Sequence, residues 1–417
     1  MLLVAVEVLF LARLYGFLSR WVHPWAAATG TLLFACSVDL ALVPVHGLET
    51  PLCSLFVLLV VERTLDLAAG RSTGWRAGLS LGLCCGLVFL ARTDAGLFCA
   101  AAMLLLAWRR RWVEVLSSSL CAAVTVAPWL AWNLWTFGTV VQTSARTHVY
   151  RASVLLEHRV GEGSLWLERM RQVGGSLDYL LGALGGRLVL VPLLLLLWAA
   201  LRSPRATGSW RQALLLGGAP AVVLAVLYGF FGQFQHWYVH PLSCGLVIAV
   251  AFLLDRWLVR FSGWMRPVPL VALLALLAAA GLRQGWYHYP WQRANHEAAL
   301  FLRDNTREDV VLGSFNAGIL GYFSERTTIN LDGAVNNDML AVLESRSLFA
   351  YARKRGIDLF VEHDNEFRPN LVFAEPAERG RLEVLWSLPG RGSGPVLILR
   401  LPRPPSDSEK RAPPSGR

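Results

Sequence analysis

The amino-acid sequence predicts a multi-span α-helical membrane protein of about ten helices, with a small C-terminal α/β domain outside the cytoplasm. Three observations carry that prediction. Of 417 residues, 55% are hydrophobic and 16% charged, with a mean hydropathy of +0.45, where a soluble chain would carry about 25% charged residues. Apolar runs recur to about residue 286, and the connections between them alternate between Arg-rich and Arg-poor. After about residue 287, Glu, Asp and Arg become frequent and the apolar runs shorten to strand length. One large soluble domain, a disordered chain and a disulfide-rich secreted scaffold are all excluded.

The apolar runs lie at 2–19, 25–45, 51–61, 78–91, 95–108, 113–134, 187–201, 212–231, 241–254 and 268–282. A bilayer core takes about 20 helical residues, with a range down to about 17. The run 51–61 and the pair 78–91 and 95–108 are shorter. They can still cross where flanking polar residues belong to the helix or the bilayer is thinned. The net charge of +10 is almost wholly arginine, since Lys354 and Lys410 are the only lysines. Arginine fills the connections 62–77 (Arg63, Arg71, Arg76), 109–111, 202–211 (Arg202, Arg205, Arg211) and 255–267 (Arg256, Arg260, Arg266). The connections 46–50 and 232–240 hold no Lys or Arg, and 92–94 holds only Arg92. Arginine favours cytoplasmic loops, so the basic connections lie inside. His46–Thr50, Arg92–Asp94, 134–187, 232–240 and everything after Leu282 lie outside. That placement of charge speaks for topology rather than for nucleic acid. The same parity puts Met1 outside. Because the run 2–19 carries Glu7 and Arg13, it does not read as a cleavable signal peptide. The expectation is a chain that lacks an upstream helix or has a mis-assigned start.

Residues 1–286 therefore read as the helical membrane domain, 287–401 as the extracytoplasmic α/β domain and 402–417 as a Pro- and Ser-rich disordered tail. Within the long outer segment 134–187, Trp166, Met170, Val173, Leu177, Leu180 and Leu184 share one helical face. That pattern fits a helix lying in the interface or one packed over the spans. In the C-terminal part, helices are expected over Asn295–Asp304, Asn316–Phe323 and Met339–Arg355. Strands are expected over Val310–Phe315, Thr327–Leu331, Asp358–Glu362, Leu382–Leu388 and Val396–Leu401. Alternating strands and helices suggest a partly parallel sheet. All seven cysteines fall inside apolar runs with no zinc or redox spacing, so they read as buried core residues.

Ionisable groups near the ends of spans are costly at membrane depth and tend to face cavities, which singles out four sets. His46-Gly47-Leu48-Glu49-Thr50-Pro51 places Glu49 before a helix that Pro51 can open. Glu49 reads either as a favourable charge at a helix start or as a pocket residue. Arg92-Thr93-Asp94 splits two short apolar runs; the two charges either pair structurally, or Arg92 holds a phosphate while Asp94 orients a hydroxyl. Gln142–Arg151 brings Thr143, Ser144, Arg146, Thr147, His148 and Arg151, and guanidinium suits a phosphate headgroup; plain surface charge is the alternative. Gln233–His240 carries His236 and His240 at i, i+4, but no HExxH pattern or third ligand accompanies them, so cavity lining or interface anchoring is preferred over zinc. The sequence contains no GxxxxGK[ST] and no GxGxxG opening a helix, leaving nucleotide hydrolysis without its usual signatures.

In order and spacing, several stretches resemble bacterial integral-membrane glycosyltransferases of the GT-C superfamily, over roughly residues 1–365. They are Gly47-Leu48-Glu49, Arg92-Thr93-Asp94, and the Gly321–Ser324 stretch followed by Asn330-Leu331-Asp332-Gly333 and Asn336. Arg146 stands where such proteins often carry a basic residue, though the surrounding sequence departs from the pattern. The resemblance implies inverting transfer of a sugar from a polyprenyl-phosphate carrier to a glycan, lipid or protein acceptor, at the inner (plasma) membrane. In that family an acidic residue in the first outer loop usually serves as base. Here that loop would precede residue 2. The catalytic base is thus left unassigned. Glu49, Asp94 and His46 are expected at the sugar or acceptor pocket. Arg92, Arg146 and Arg151 are expected on the carrier phosphate, and His236 and Tyr238 as cavity lining. No metal-binding set is expected, and a divalent cation is left open as cofactor. The partners expected are the polyprenyl-linked sugar, its acceptor and membrane lipids, with no nucleic acid. Two rival readings stand beside this one: a transporter or lipid-carrier flippase, and a non-catalytic membrane binding partner.

Overall fold

The structure is a computed structural model. It describes residues 2–37, 40–41, 43–46, 48–140, 142–161, 164–183, 209–232, 234–258, 290–390 and 394–401, with isolated positions between 263 and 275. The expected run 187–201, almost all of 268–282 and the tail 402–417 lie outside the described residues. The first helices are α1 (Leu2–Ser19), α2 (Pro24–Ala35), α3 (Thr50–Ala68), α4 (Trp75–Ala91) and α5 (Gly96–Trp108). They are followed by α6 (Trp112–Phe137), α7 (Thr143–Val160), α8 (Leu165–Ala183), α9 (Ser209–Phe230, with a π-turn at Leu214–Gly218) and α10 (Val239–Leu258). The C-terminal part runs α11 (Pro290–Asn305), β1 (Val311–Ser314), α12 (Ala317–Ser324), β2 (Thr327–Asn330), α13 (Met339–Glu344) and α14 (Leu348–Lys354). It ends with β3 (Leu359–His363), α15 (Asp364–Asn370), β4 (Glu383–Leu388) and β5 (Val396–Arg400). The chain divides into two compact units: Met1–Val140 with Trp166–Gly285, and Val141–Leu165 with Trp286–Arg417.

The first unit is a helical bundle. Its helices α1, α6, α9 and α10 are long and apolar enough to cross a membrane, and α4 and α5 are shorter apolar helices. The α10 helix is its most enclosed element, whereas α6 turns Leu116, Leu120, Val124, Trp132 and Trp135 outward. Glycine sets the closest approaches. A side chain at Gly82 would run into the Ser118 carbonyl of α6, and Ser118 Oγ donates to the Gly78 carbonyl at 2.8 Å.

Two expected spans differ from what forms. The run 51–61 is part of a longer helix: α3 carries Glu62, Arg63 and Asp66 inside it, because Glu62 accepts from Arg13 Nε at 3.0 Å and Nη2 at 2.8 Å, and from Arg20. A charge that a sequence count would place in a loop is thus neutralised within the helix. The run 25–45 breaks instead. The α2 helix stops at Ala35, and a separate 3-10 turn follows at Val43–His46.

The bundle has two chemically distinct ends. At one, Arg13 and Arg20 meet Glu62, Arg71 stacks over Trp21, Arg111 Nη2 donates to the Leu67 carbonyl, and the His23 backbone N–H donates to Asp255. At the other, the start of α3, the α4–α5 connection, the end of α9 and the start of α10 come together around Arg92.

The second unit is a five-stranded sheet of order β2-β1-β3-β5-β4, parallel across β2, β1 and β3 and antiparallel across β3, β5 and β4. Every expected strand forms within a residue or two. The expected helix 339–355 splits into α13 and α14, because Arg346 takes a left-handed φ of 51° and the Ser347 amide closes on the Val342 carbonyl at 3.1 Å. A second difference concerns the division of the chain. Sequence assigns 134–187 wholly to the membrane domain, yet α7 belongs to this unit. Tyr150, Val154 and Leu155 pack on its core, Thr143 donates to Asn337, and the buried Thr147 lies against Gly333. Gly333 sits at φ 84° and has no room for a side chain.

Two outcomes are expected. Gly82→Val should force α4 from α6 and destabilise the first unit by about 1–3 kcal/mol, read as a lower unfolding temperature in detergent. Gly333→Val should loosen α7 and speed proteolytic cleavage within 142–161, leaving the α10 region protected.

Candidate functional site

The α4 helix ends where Arg92 turns extended (φ −154°, ψ 117°), its amide closing on the Val88 carbonyl. Two residues on, Asp94 accepts from the Ala95 amide at 2.9 Å just before α5 begins, where a negative charge is favourable. Its carboxylate also takes Arg92 in a bidentate grip, Nε at 3.1 Å and Nη2 at 2.7 Å. The remaining arm of Arg92, Nη1, donates to Glu49 Oε1 at 3.0 Å. Glu49 occupies the N-cap position of α3 without making a side-chain cap bond, so its carboxylate faces Arg92 rather than its own helix. Beneath the guanidinium lies the Tyr238 ring, 4.3 Å from Cζ to centroid. Tyr238 packs on Tyr228 at 4.6 Å between centroids, and the Tyr228 hydroxyl donates to Asp94.

One cation and two carboxylates leave the cluster with a net charge of −1. Side-chain exposure rises from 11% for Arg92 through 29% for Asp94 to 44% for Glu49. The more exposed carboxylate, and so the better placed to meet a hydroxyl, is Glu49. Burial works to raise the Asp94 carboxyl, but the Arg92 charge, the hydrogen bonds from Arg92 and Tyr228, and the Ala95 amide together hold it below the usual carboxylate range.

Glu49, Arg92, Asp94 and Tyr238 are thus brought together. His46 and His236 fall on the short turns Val43–His46 and His236–Tyr238, and their side chains lie outside the described residues. Arg146 and Arg151 belong to the second unit. Arg146 is exposed on α7. Arg151 donates from Nε to Asn370 Oδ1 at 2.7 Å, pairs with Glu366 and lies 4.9 Å over the Phe315 ring. Burial lowers the nearby His148 ring, with Asp332 opposing that shift and Arg151 adding to it. Tyr228 is the site residue that sequence reasoning missed. It is an ordinary aromatic inside an apolar run, and only the packing of α9 against the α4–α5 connection reveals its hydroxyl contact. Among the described residues no three His, Cys, Asp or Glu groups come together to hold a metal.

Comparison with known proteins gives three results. Residues 284–396 match a family described as a domain of unknown function, DUF8728. No curated protein matches the chain. Among solved structures, the chain is similar to ArnT from Cupriavidus metallidurans bound to undecaprenyl phosphate, with 12% identity and a TM-score of 0.52 over 95% of this chain and 83% of that one. The fold is ArnT-like. The apo state of the same protein gives 14% identity and a TM-score of 0.52 over 95% of this chain and 82% of that one. The apolar helices fit a membrane protein. At this identity the likeness is one of fold.

Asp94→Asn should lower the unfolding temperature at neutral pH. Because the folded-state carboxyl is depressed, the native pair contributes fully above the ordinary carboxylate range. It is lost as pH falls through the depressed value. The gap between native and variant unfolding temperatures should therefore close on acidification; a gap independent of pH would contradict the pairing.

Proposed function

We propose that the protein is an integral-membrane glycosyltransferase that moves a sugar from a polyprenyl-phosphate carrier to an acceptor hydroxyl outside the cytoplasm. The observation that carries the reading is the Glu49–Arg92–Asp94 cluster, set at the Arg-poor ends of helices in an ArnT-like bundle. The arginine-lined end opposite suits the cytoplasmic face, which supports reading the cluster as extracytoplasmic. ArnT was solved with undecaprenyl phosphate bound, a lipid phosphate of the class the reading requires.

The geometry suggests how such a site would work. Asp94 and Tyr238 fix Arg92 from one side and below, leaving Nη1 as the arm that can change partner. A carrier phosphate competes with Glu49 for that arm, and guanidinium pairs well with phosphate oxygens. Its arrival frees the Glu49 carboxylate to accept a proton from the acceptor hydroxyl. The acceptor oxygen then bonds the anomeric carbon as the bond from that carbon to the phosphate oxygen breaks. The electron pair leaves with the phosphate, stabilised by Arg92, and the configuration inverts. The reading rests on Arg92 for phosphate because it shares a hydrogen bond with Glu49, whereas Arg151 belongs to the second unit. Sugar and acceptor are matters for the assay.

The test is transfer in nanodiscs from a panel of polyprenyl-phosphate sugars. Glu49→Gln should reduce transfer by about 10²–10⁴-fold, the usual worth of a positioned base, with undecaprenyl-phosphate binding kept or tightened because a competitor is removed. Arg92→Ala should weaken both. Native transfer by Glu49→Gln would sink the assignment of the base.

A further inference from the structure

Within the first unit a second polar array lies fully inside the bundle. His240, near the start of α10, has no exposed surface; its Nε2 lies 3.0 Å from Glu7 Oε2 of α1 and its Nδ1 2.7 Å from Ser54 Oγ of α3. Ser54 is likewise fully buried and Glu7 is 9% exposed. Phe34 meets the imidazole edge-on at 4.8 Å and Phe10 lies at 6.0 Å. Among the described residues, His240 is the only hydrogen-bond or ion-pair partner of the Glu7 side chain. Beside these contacts lie the buried thiols of Cys53 on α3 and Cys244 on α10, the latter donating to the Ser54 carbonyl at 3.7 Å; the same helices also carry Arg13 and Tyr15 on α1, Glu62, Arg63 and Asp66 on α3, and Asp255 and Arg256 on α10. The turn Val43–His46 packs on α1 and α3.

We infer that Glu7, His240 and Ser54 form a proton-binding site at membrane depth. Two arguments carry it. An ionised carboxylate beside a neutral imidazole would leave an uncompensated charge among apolar helices, which costs several kcal/mol in general. Taking up one proton makes the pair neutral, as carboxylic acid with imidazole or as carboxylate with imidazolium. The second argument is the sense of the hydrogen bonds. A carbonyl or an amide beside Nδ1 would lock one protonation state. The Ser54 hydroxyl can donate to a bare Nδ1 or accept from a protonated one, and the Glu7 carboxyl has the same freedom at Nε2. In each transfer an O–H bond of Glu7 breaks as an N–H bond of His240 forms, or the reverse, and no other reactant is needed. The site is separate from the Arg92 cluster and does not depend on the glycosyltransferase reading.

The test is infrared titration of the full-length chain in nanodiscs, native and with Glu7→Gln, Ser54→Ala and His240→Gln. His46→Gln serves as control. The expected result is about one proton bound per chain at neutral pH. It appears as a protonated-carboxyl band lost in Glu7→Gln, or as an imidazolium signature lost in His240→Gln. Ser54→Ala, which keeps the packing and removes the hydroxyl, should shift that titration, and His46→Gln should leave it in place. An ionised Glu7 with a neutral His240 at neutral pH in the native protein would overturn the site, as would a titration untouched by all three substitutions. Because the readout needs no carrier or sugar, it stands or falls apart from the transfer assay.

Discussion

A charge placed among apolar helices needs a counter-charge from another element, and the first unit is organised around that need. Glu62 sits inside α3 because α1 brings Arg13 and the residue just past its end, Arg20, to it. Arg92 ends α4 because Asp94 grips it and Glu49 reaches it from the start of α3. Each pair also fixes which helix ends meet. The Glu62 pairs tie α1 to the far end of α3, and the Arg92 pairs tie the opposite end of α3 to the α4–α5 connection. Breaking such a pair by removing one partner leaves the other exposed to the full cost of its burial.

At the Arg92 cluster the same need acquires chemical meaning. Two carboxylates around one guanidinium exceed what structure alone requires. Asp94 alone neutralises Arg92, and Glu49 adds a negative charge that is more exposed than the other two. The excess negative charge opposes an incoming anion unless that anion displaces Glu49 from Nη1. That makes Glu49 a group whose freedom depends on what else Arg92 holds.

Much of this was legible in the sequence, for identifiable reasons. Arg92, Asp94 and Glu49 stood out because each interrupts an apolar run, and the strands of the second unit stood out because short β-branched runs alternate with helical ones. What stayed hidden depended on partners distant in sequence. The length of α3 follows from Arg13 and Arg20, not from its own hydropathy. The assignment of α7 to the second unit follows from Thr147 and Gly333, nearly two hundred residues apart in sequence. Tyr228 looked like any aromatic of a span, and Glu7 like a stray charge in the first helix, until His240 was seen beside it.

The most direct measurement of the central claim is an experimental structure of the protein with undecaprenyl phosphate bound. The phosphate should lie on Nη1 of Arg92, with the Asp94 grip retained and the Glu49 carboxylate turned away from the guanidinium. A phosphate seated elsewhere, with the Arg92–Glu49 hydrogen bond intact, would contradict it.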